Sequence, residues 1–164
     1  MKKIPILFFT LALGIAAFAQ TDTSKPYFRN RILPAFRLLN IDSAVFTNKV
    51  LDIDKSTIIM MFNPDCDHCQ MQLDTLLSLT AVTQSAQIVM ISMVPLHYNK
   101  DFYNKNHLEK YPFIFLGKDY SSFCLGFYQP YTIPVLVFYN KKGEFVSIKY
   151  GNSDKATILE GIKN

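Results

Sequence analysis

Tryptophan is absent from this sequence, and its 164 residues hold only three cysteines. A structural disulfide framework closes long loops, whereas Cys66 and Cys69 stand three positions apart and close almost none. The pair is therefore kept for reactivity rather than stability, and Cys124 is left over. There is no second CxxC and no paired-histidine motif, so a multi-ligand metal site has little to build on. Net charge is also small. The formal +4 includes Lys2 and Lys3, and without them about +2 remains, too little to argue for nucleic acid or an anionic membrane as partner. Repeats and low-complexity tracts are missing. So is an apolar run of the roughly 20 residues that a membrane span needs.

The first residues are expected to be a targeting segment. Lys2 and Lys3 form a positive start, Ile4 to Ala16 is apolar, and Ala17-Phe18-Ala19 is a small-x-small cleavage site. No cysteine stands near that site, so a lipid anchor is not supported. The expected organisation is a signal peptide over 1–19, a loose polar arm over 20–31 and one domain over 32–164. Export to the periplasm follows, with an uncleaved N-terminal anchor as the alternative. The remaining length suits a single core, rich in Phe and Tyr, and a monomer is expected.

Along the chain, Ile32 to Leu39 alternates as a strand does, Asn40 to Ser43 is a turn, and Ala44 to Thr47 is the return strand. Thr57–Phe62 and Gln87–Val94 are apolar on both faces and predict buried central strands. The stretch from Cys66 to about Gln84 has helical spacing through Leu73, Leu76, Leu77 and Val82. Leu96 to Asn99 reads as a loop and Lys100 to Tyr111 as a helix stopped by Pro112. Phe113 to Leu116 is a short strand, followed by a short helix capped by Asp119 or Ser121. Tyr131–Tyr139, a turn at Asn140-Lys141-Lys142-Gly143 and Glu144–Tyr150 form a hairpin, and a helix over Lys155–Ile162 ends the chain. The β-α-β order argues for parallel strands and the closing hairpin for antiparallel ones. The expected class is α/β, a mixed central sheet with helices on both faces.

The chemistry centres on Cys66-Asp67-His68-Cys69. A buried strand, a polar bend and then a helix put a thiol at a helix N-terminus, where unpaired N–H groups favour the nucleophilic thiolate. One turn separates the two cysteines, within reach of a disulfide. A protonated His68 would favour the thiolate and make the pair more oxidising. Asp65 and Asp67 would oppose it, although an Asp at a helix start serves capping equally well. Their net effect has no sign on these grounds. Two other classes compete. Cys66, His68 and Cys69 with His97 or His107 could hold zinc or copper, or the domain could be an interaction module without turnover. His97 and His107 read as surface residues. Cys124 reads as a core thiol, with a regulatory or intermolecular disulfide as the alternative, and the aromatic set Phe123, Phe127, Tyr128 and Tyr131 reads as core, although some of it could edge a peptide groove.

Pro134 stands where a central strand begins, and a residue that cannot donate to a ladder needs an edge, a first position or a cis bond there. With Leu33-Pro34-Ala35-Phe36-Arg37-Leu38, Phe62 to Cys69, the inserted segment Phe113 to Leu116 and Thr132-Ile133-Pro134, the chain resembles the exported thioredoxin-fold thiol–disulfide oxidoreductases of the TlpA/ResA type. The resemblance covers about Ile32 to Ile162. It implies a thioredoxin fold with an N-terminal β-hairpin and an inserted strand/helix segment. It also implies a cis Pro134 beside the sulfurs, Ile133 backbone pairing with substrate, Cys66 as exposed nucleophile and Cys69 as buried resolving thiol. No cofactor and no metal are expected. Partners would be exported proteins with cysteine pairs, with a membrane thiol protein as electron donor. The reductase direction comes from the resemblance; oxidase or isomerase is the alternative. Several positions depart from the family: Asp65 replaces an aromatic residue, Met60 and Gln72 replace two acids, and Asp74 replaces a helix-bending proline.

Overall fold

The structure is a computed structural model and describes residues 24–163. The targeting-segment reading over 1–19, and the first residues of the arm, lie outside these. Among the described residues, no helix is long and apolar enough to cross a membrane.

A mixed sheet of seven strands forms the frame. Its strands are β1 (Arg37–Leu39), β2 (Val45–Thr47), β3 (Ser56–Met61), β4 (Ala86–Ser92), β5 (Ile114–Lys118), β6 (Val135–Tyr139) and β7 (Phe145–Tyr150), in the spatial order β2-β1-β5-β4-β3-β6-β7. The β3–β4 and β4–β5 pairs are parallel, while β6 runs antiparallel to β3 and β7. The N-terminal hairpin β1–β2 joins through β1 to β5.

The helices are α1 (Pro26–Arg29), α2 (Asp67–Leu77), α3 (Thr80–Ser85), α4 (Leu96–Lys105), α5 (Phe123–Tyr128) and α6 (Lys155–Lys163). Alternation along the central strands divides the core in two. Ile58, Met60, Ile88, Met90, Leu136 and Phe138 face α2, α3, α4 and α6. Ile59, Met61, Val89, Ile91, Val135, Val137 and Tyr139 face α1 and α5. With both sheet faces covered, β3, β4 and β6 are buried along their whole length. Close fit shows at Gly161 of α6, where an added Cβ would collide with the Phe138 ring. Overpacking of that kind costs roughly 1–3 kcal/mol.

Four sequence expectations change. The helix expected from Cys66 to Gln84 is two helices. Thr75 Oγ1 donates to the Met71 carbonyl (2.9 Å) and Ser78 Oγ to that of Thr75 (2.8 Å), and Leu79 then turns extended at φ −99°, ψ 109°. Hydroxyls that bond back to the preceding turn compete with helix continuation. The expected loop Leu96–Asn99 is the first turn of α4, with Pro95 as its N-cap. That helix stops at Lys105 because His107 is left-handed, at φ 51°; a 3-10 turn, Leu108–Lys110, follows. The arm is not loose over its described part. Tyr27 of α1 is 2% exposed, packed on the core with Tyr128 and Phe145. Finally, Phe123 and Tyr131, read as core, are exposed at 42% and 75%. In the short α5 Cys124 and Tyr128 are buried and Phe127 packs partly on the same core, which leaves Phe123 on the outer side, and Tyr131 lies beyond the helix.

Candidate active site

The site stands at the C-terminal end of β3. Phe62 continues the strand direction with its N–H on the Ile91 carbonyl (3.0 Å), and its ring packs on Phe102 at 4.9 Å between centroids. Asn63 then makes the bend. Its side-chain oxygen accepts the Asp65 N–H (3.0 Å), and its carbonyl accepts the Cys66 N–H (3.1 Å). Short side-chain turns of this kind are the habit of Asn, but its part in shaping the site was not read from the sequence.

Cys66 is itself the N-cap of α2, extended at φ −98°, ψ 111°. Its Sγ accepts the Cys69 backbone N–H at 3.3 Å, and its carbonyl accepts the N–H groups of Cys69 (3.0 Å) and Gln70 (3.1 Å). The cap is therefore the thiol, not Asp65 or Asp67. Those two carboxylates and His68 are all exposed around it, with Asp67 in the first helical turn. Negative charge there complements the positive helix end.

The two sulfurs live in different media. Cys66 is half-buried, while Cys69 is 0% exposed within the α2 side of the core. Burial pushes the Cys69 thiol up from 9.0 to about 12, reinforced by the hydrogen bond and charge of Cys66 and opposed by a backbone hydrogen bond from Asn63. Burial thus favours the Cys69 thiol over its thiolate.

The bond between Ile133 and Pro134 is cis. Pro134 is buried, Ile133 half-buried and packed against the same core cluster as Cys66. A small groove of about 170 Å³ runs between Phe62, Asn63, Met93, Leu125 and Ile133, alongside the bend that carries Cys66.

The connection from β7 to α6 brackets both halves of the site. Gly151, left-handed at φ 76°, donates its N–H to the Pro134 carbonyl (2.8 Å). Asn152 Nδ2 donates to the His68 carbonyl (2.9 Å). The Ser153 N–H donates to Gln72 Oε1 (2.6 Å), and Gln72 Nε2 returns to the Ser153 carbonyl (3.4 Å). Three consecutive residues therefore hold the Pro134 segment and the first turns of α2 together. In the sequence, Gly151-Asn152-Ser153 is only a lead into the last helix. Gln72, which stands where the family has an acid, is a fully buried amide serving as a clamp. Met60 lies buried within β3, and Asp74 accepts from Gln70 Nε2 at 3.2 Å on the outside of α2.

Among the described residues, no group of three or more His, Cys, Asp or Glu is poised for a metal. His97 and His107 are exposed; the first packs on Tyr98 and the second pairs with Glu109 at 3.4 Å. Cys124 lies fully buried on the opposite face of the sheet.

No protein-family model matches the sequence, and no curated protein does. Solved structures do. StoA of Bacillus subtilis superposes with a TM-score of 0.59 at 20% identity, covering 79% of this chain and 97% of that one. A secreted Mycobacterium tuberculosis disulfide oxidoreductase homologous to Escherichia coli DsbE gives 0.61 at 19% identity, over 77% and 92%. A thioredoxin-like protein of Porphyromonas gingivalis gives 0.63 at 20%, over 78% and 87%. A CxxC helix start, a cis proline opening a central strand and these likenesses agree: the chain has a thioredoxin-like fold.

Proposed function

We propose that the protein is an exported thiol–disulfide oxidoreductase that exchanges the Cys66–Cys69 disulfide with cysteine pairs of other exported proteins, acting as a reductase. The observation that carries this reading is the asymmetry of the pair. One sulfur is reachable at a helix start, and the other is buried one turn behind it and held protonated by its surroundings. A pair built for reactivity needs both features. The disulfide oxidoreductase among the structural neighbours supports the same chemistry.

In the proposed cycle the Cys66 thiolate attacks one sulfur of a substrate disulfide. The substrate S–S bond breaks, and its other sulfur leaves and takes up a proton. Cys69, losing its proton, then attacks Cys66 Sγ. The mixed disulfide breaks, the Cys66–Cys69 disulfide forms, and the substrate departs with two electrons as a dithiol. A membrane thiol protein would reload the pair. The Ile133 backbone is the pairing edge for the substrate chain, and Asp65, Asp67 and His68 tune the potential from the rim. The reducing direction is taken from the resemblance to the exported reductases. Residues 1–19 act as the export signal in this reading.

Equilibrating the pure protein in glutathione and dithiothreitol buffers, with thiol trapping, tests it. A reduction potential near about −270 mV supports a reductase, and one near about −120 mV makes the protein an oxidant instead. A pair that never interconverts with its disulfide in these buffers overturns the proposal.

A further inference from the structure

Tyr131 is 75% exposed, yet its ring lies flat on Tyr150, with centroids 4.2 Å apart and planes at 26°. The Lys25 ammonium completes the group. It stands 5.9 Å from the Tyr27 ring centroid, 5.8 Å from that of Tyr131 and 5.5 Å from that of Tyr150. It also donates to Tyr150 Oη at 3.4 Å, and the hydroxyls of Tyr27 and Tyr150 meet at 3.1 Å. Three tyrosines from separate parts of the chain share one cation, within the range of about 6 Å over which an ammonium and an aromatic face attract.

The location gives this cage a task. Tyr150 pairs with Val135, directly after Pro134, and Tyr131 precedes Pro134 by three. Among the described residues, no backbone hydrogen bond is made by Tyr131, Thr132 or Ile133. The stretch is fixed by the Ile133 side chain on the core at one end and by the Tyr131 stack at the other. Without the cage, its free end would hang from Gln129, itself left-handed at φ 47°.

We infer that Lys25 is a positioning residue: by holding Tyr131 against Tyr150 it fixes the unbonded Tyr131–Ile133 backbone as a ready edge for a substrate polypeptide. The inference rests on the redox reading above, and adds to it a contribution from the arm before the domain. A small disulfide has no chain to pair and is indifferent to that edge.

The test compares wild type with Lys25→Met, which keeps length and loses charge, and Lys25→Arg, which keeps the cation. Reduction of insulin and of hydroxyethyl disulfide is followed, with the reduction potential and NMR order parameters of the amides of residues 131–133. For Lys25→Met the insulin KM rises about fivefold with kcat within twofold, and the order parameters of residues 131–133 fall. Its potential and its rate on hydroxyethyl disulfide stay at wild type, and Lys25→Arg restores the KM. Unchanged order parameters in Lys25→Met overturn the inference. So does a loss of hydroxyethyl disulfide turnover in step with insulin, which marks general damage. If wild type fails to reduce insulin, it is the redox reading that falls, and the order parameters still decide whether Lys25 holds the segment.

Discussion

Cys69 and Cys124 are both fully buried, both pushed above the ordinary thiol range by burial, and lie on opposite faces of one sheet. Their surroundings differ in one respect. Cys69 has the half-exposed Cys66 sulfur one helical turn away. Cys124 faces Tyr128 and Tyr139, whose hydroxyls bond each other at 3.0 Å, and feels the charge of Asp119. Burial by itself makes a thiol inert. Cys69 differs in having a second sulfur within one helical turn, and in the proposed cycle its thiol waits until that neighbour is bonded.

The largest effect expected is on turnover. Replacing Cys66 by Ala should abolish insulin reduction, to below about one part in a hundred of wild type, whereas Cys124→Ala should stay within about twofold. Equal losses in the two variants would break the contrast between the faces.

Alkylation sharpens it. At pH 8 a thiol held at about 12 rather than 9.0 has roughly a thousandfold less thiolate. Iodoacetamide on the reduced protein should therefore label Cys66 first by mass spectrometry, with Cys69 and Cys124 protected until the chain unfolds. The same shift has a stability consequence. A thiol whose pKa is raised by folding stabilises the native state fully below pH 9.0, and that contribution drains away as pH climbs from there towards about 12. The urea midpoint of the reduced protein should fall over this window, and less steeply in Cys69→Ala.

On the other face the effects are structural. Tyr139→Phe strips the Tyr128 hydroxyl of its partner in a buried place and should cost about 1–3 kcal/mol by urea denaturation, with insulin turnover unchanged. Smallest is Cys124→Ala, a shallow cavity worth on the order of 1 kcal/mol.

Much of this was legible in the sequence because it follows from local pattern. The unbroken apolar runs at Ile58–Phe62 and Ile88–Ile91 could only be strands covered on both sides, and Pro134 could not be an ordinary strand residue. The Cys66 helix start followed from strand, bend and spacing. What escaped was long-range or decided by small polar groups. Nothing in Thr75 or Ser78 announces that their hydroxyls end α2 rather than face solvent. The Asn152 bond to His68 joins positions far apart in the chain, and so does the Lys25 cage. Phe123 and Tyr131 misled because an aromatic residue reads as core until its face of the helix or loop is known.

The clamp between Gln72 and Ser153 bears on timing. Asp119, the only buried carboxylate among the described residues, lies beyond the sheet, bonded to the N–H groups of Phe123 and Leu125. Met60 belongs to the same core cluster as Cys69, and the Gln72 amide, three residues past Cys69, is committed on both sides to Ser153. In the proposed cycle, with no buried carboxylate on the Cys69 face of the sheet among the described residues, the proton leaving Cys69 passes out on the side of Cys66. On that reading exchange works like an airlock with a single door: polypeptide and solvent take turns at it, and the dwell of the one sets the pace of the other.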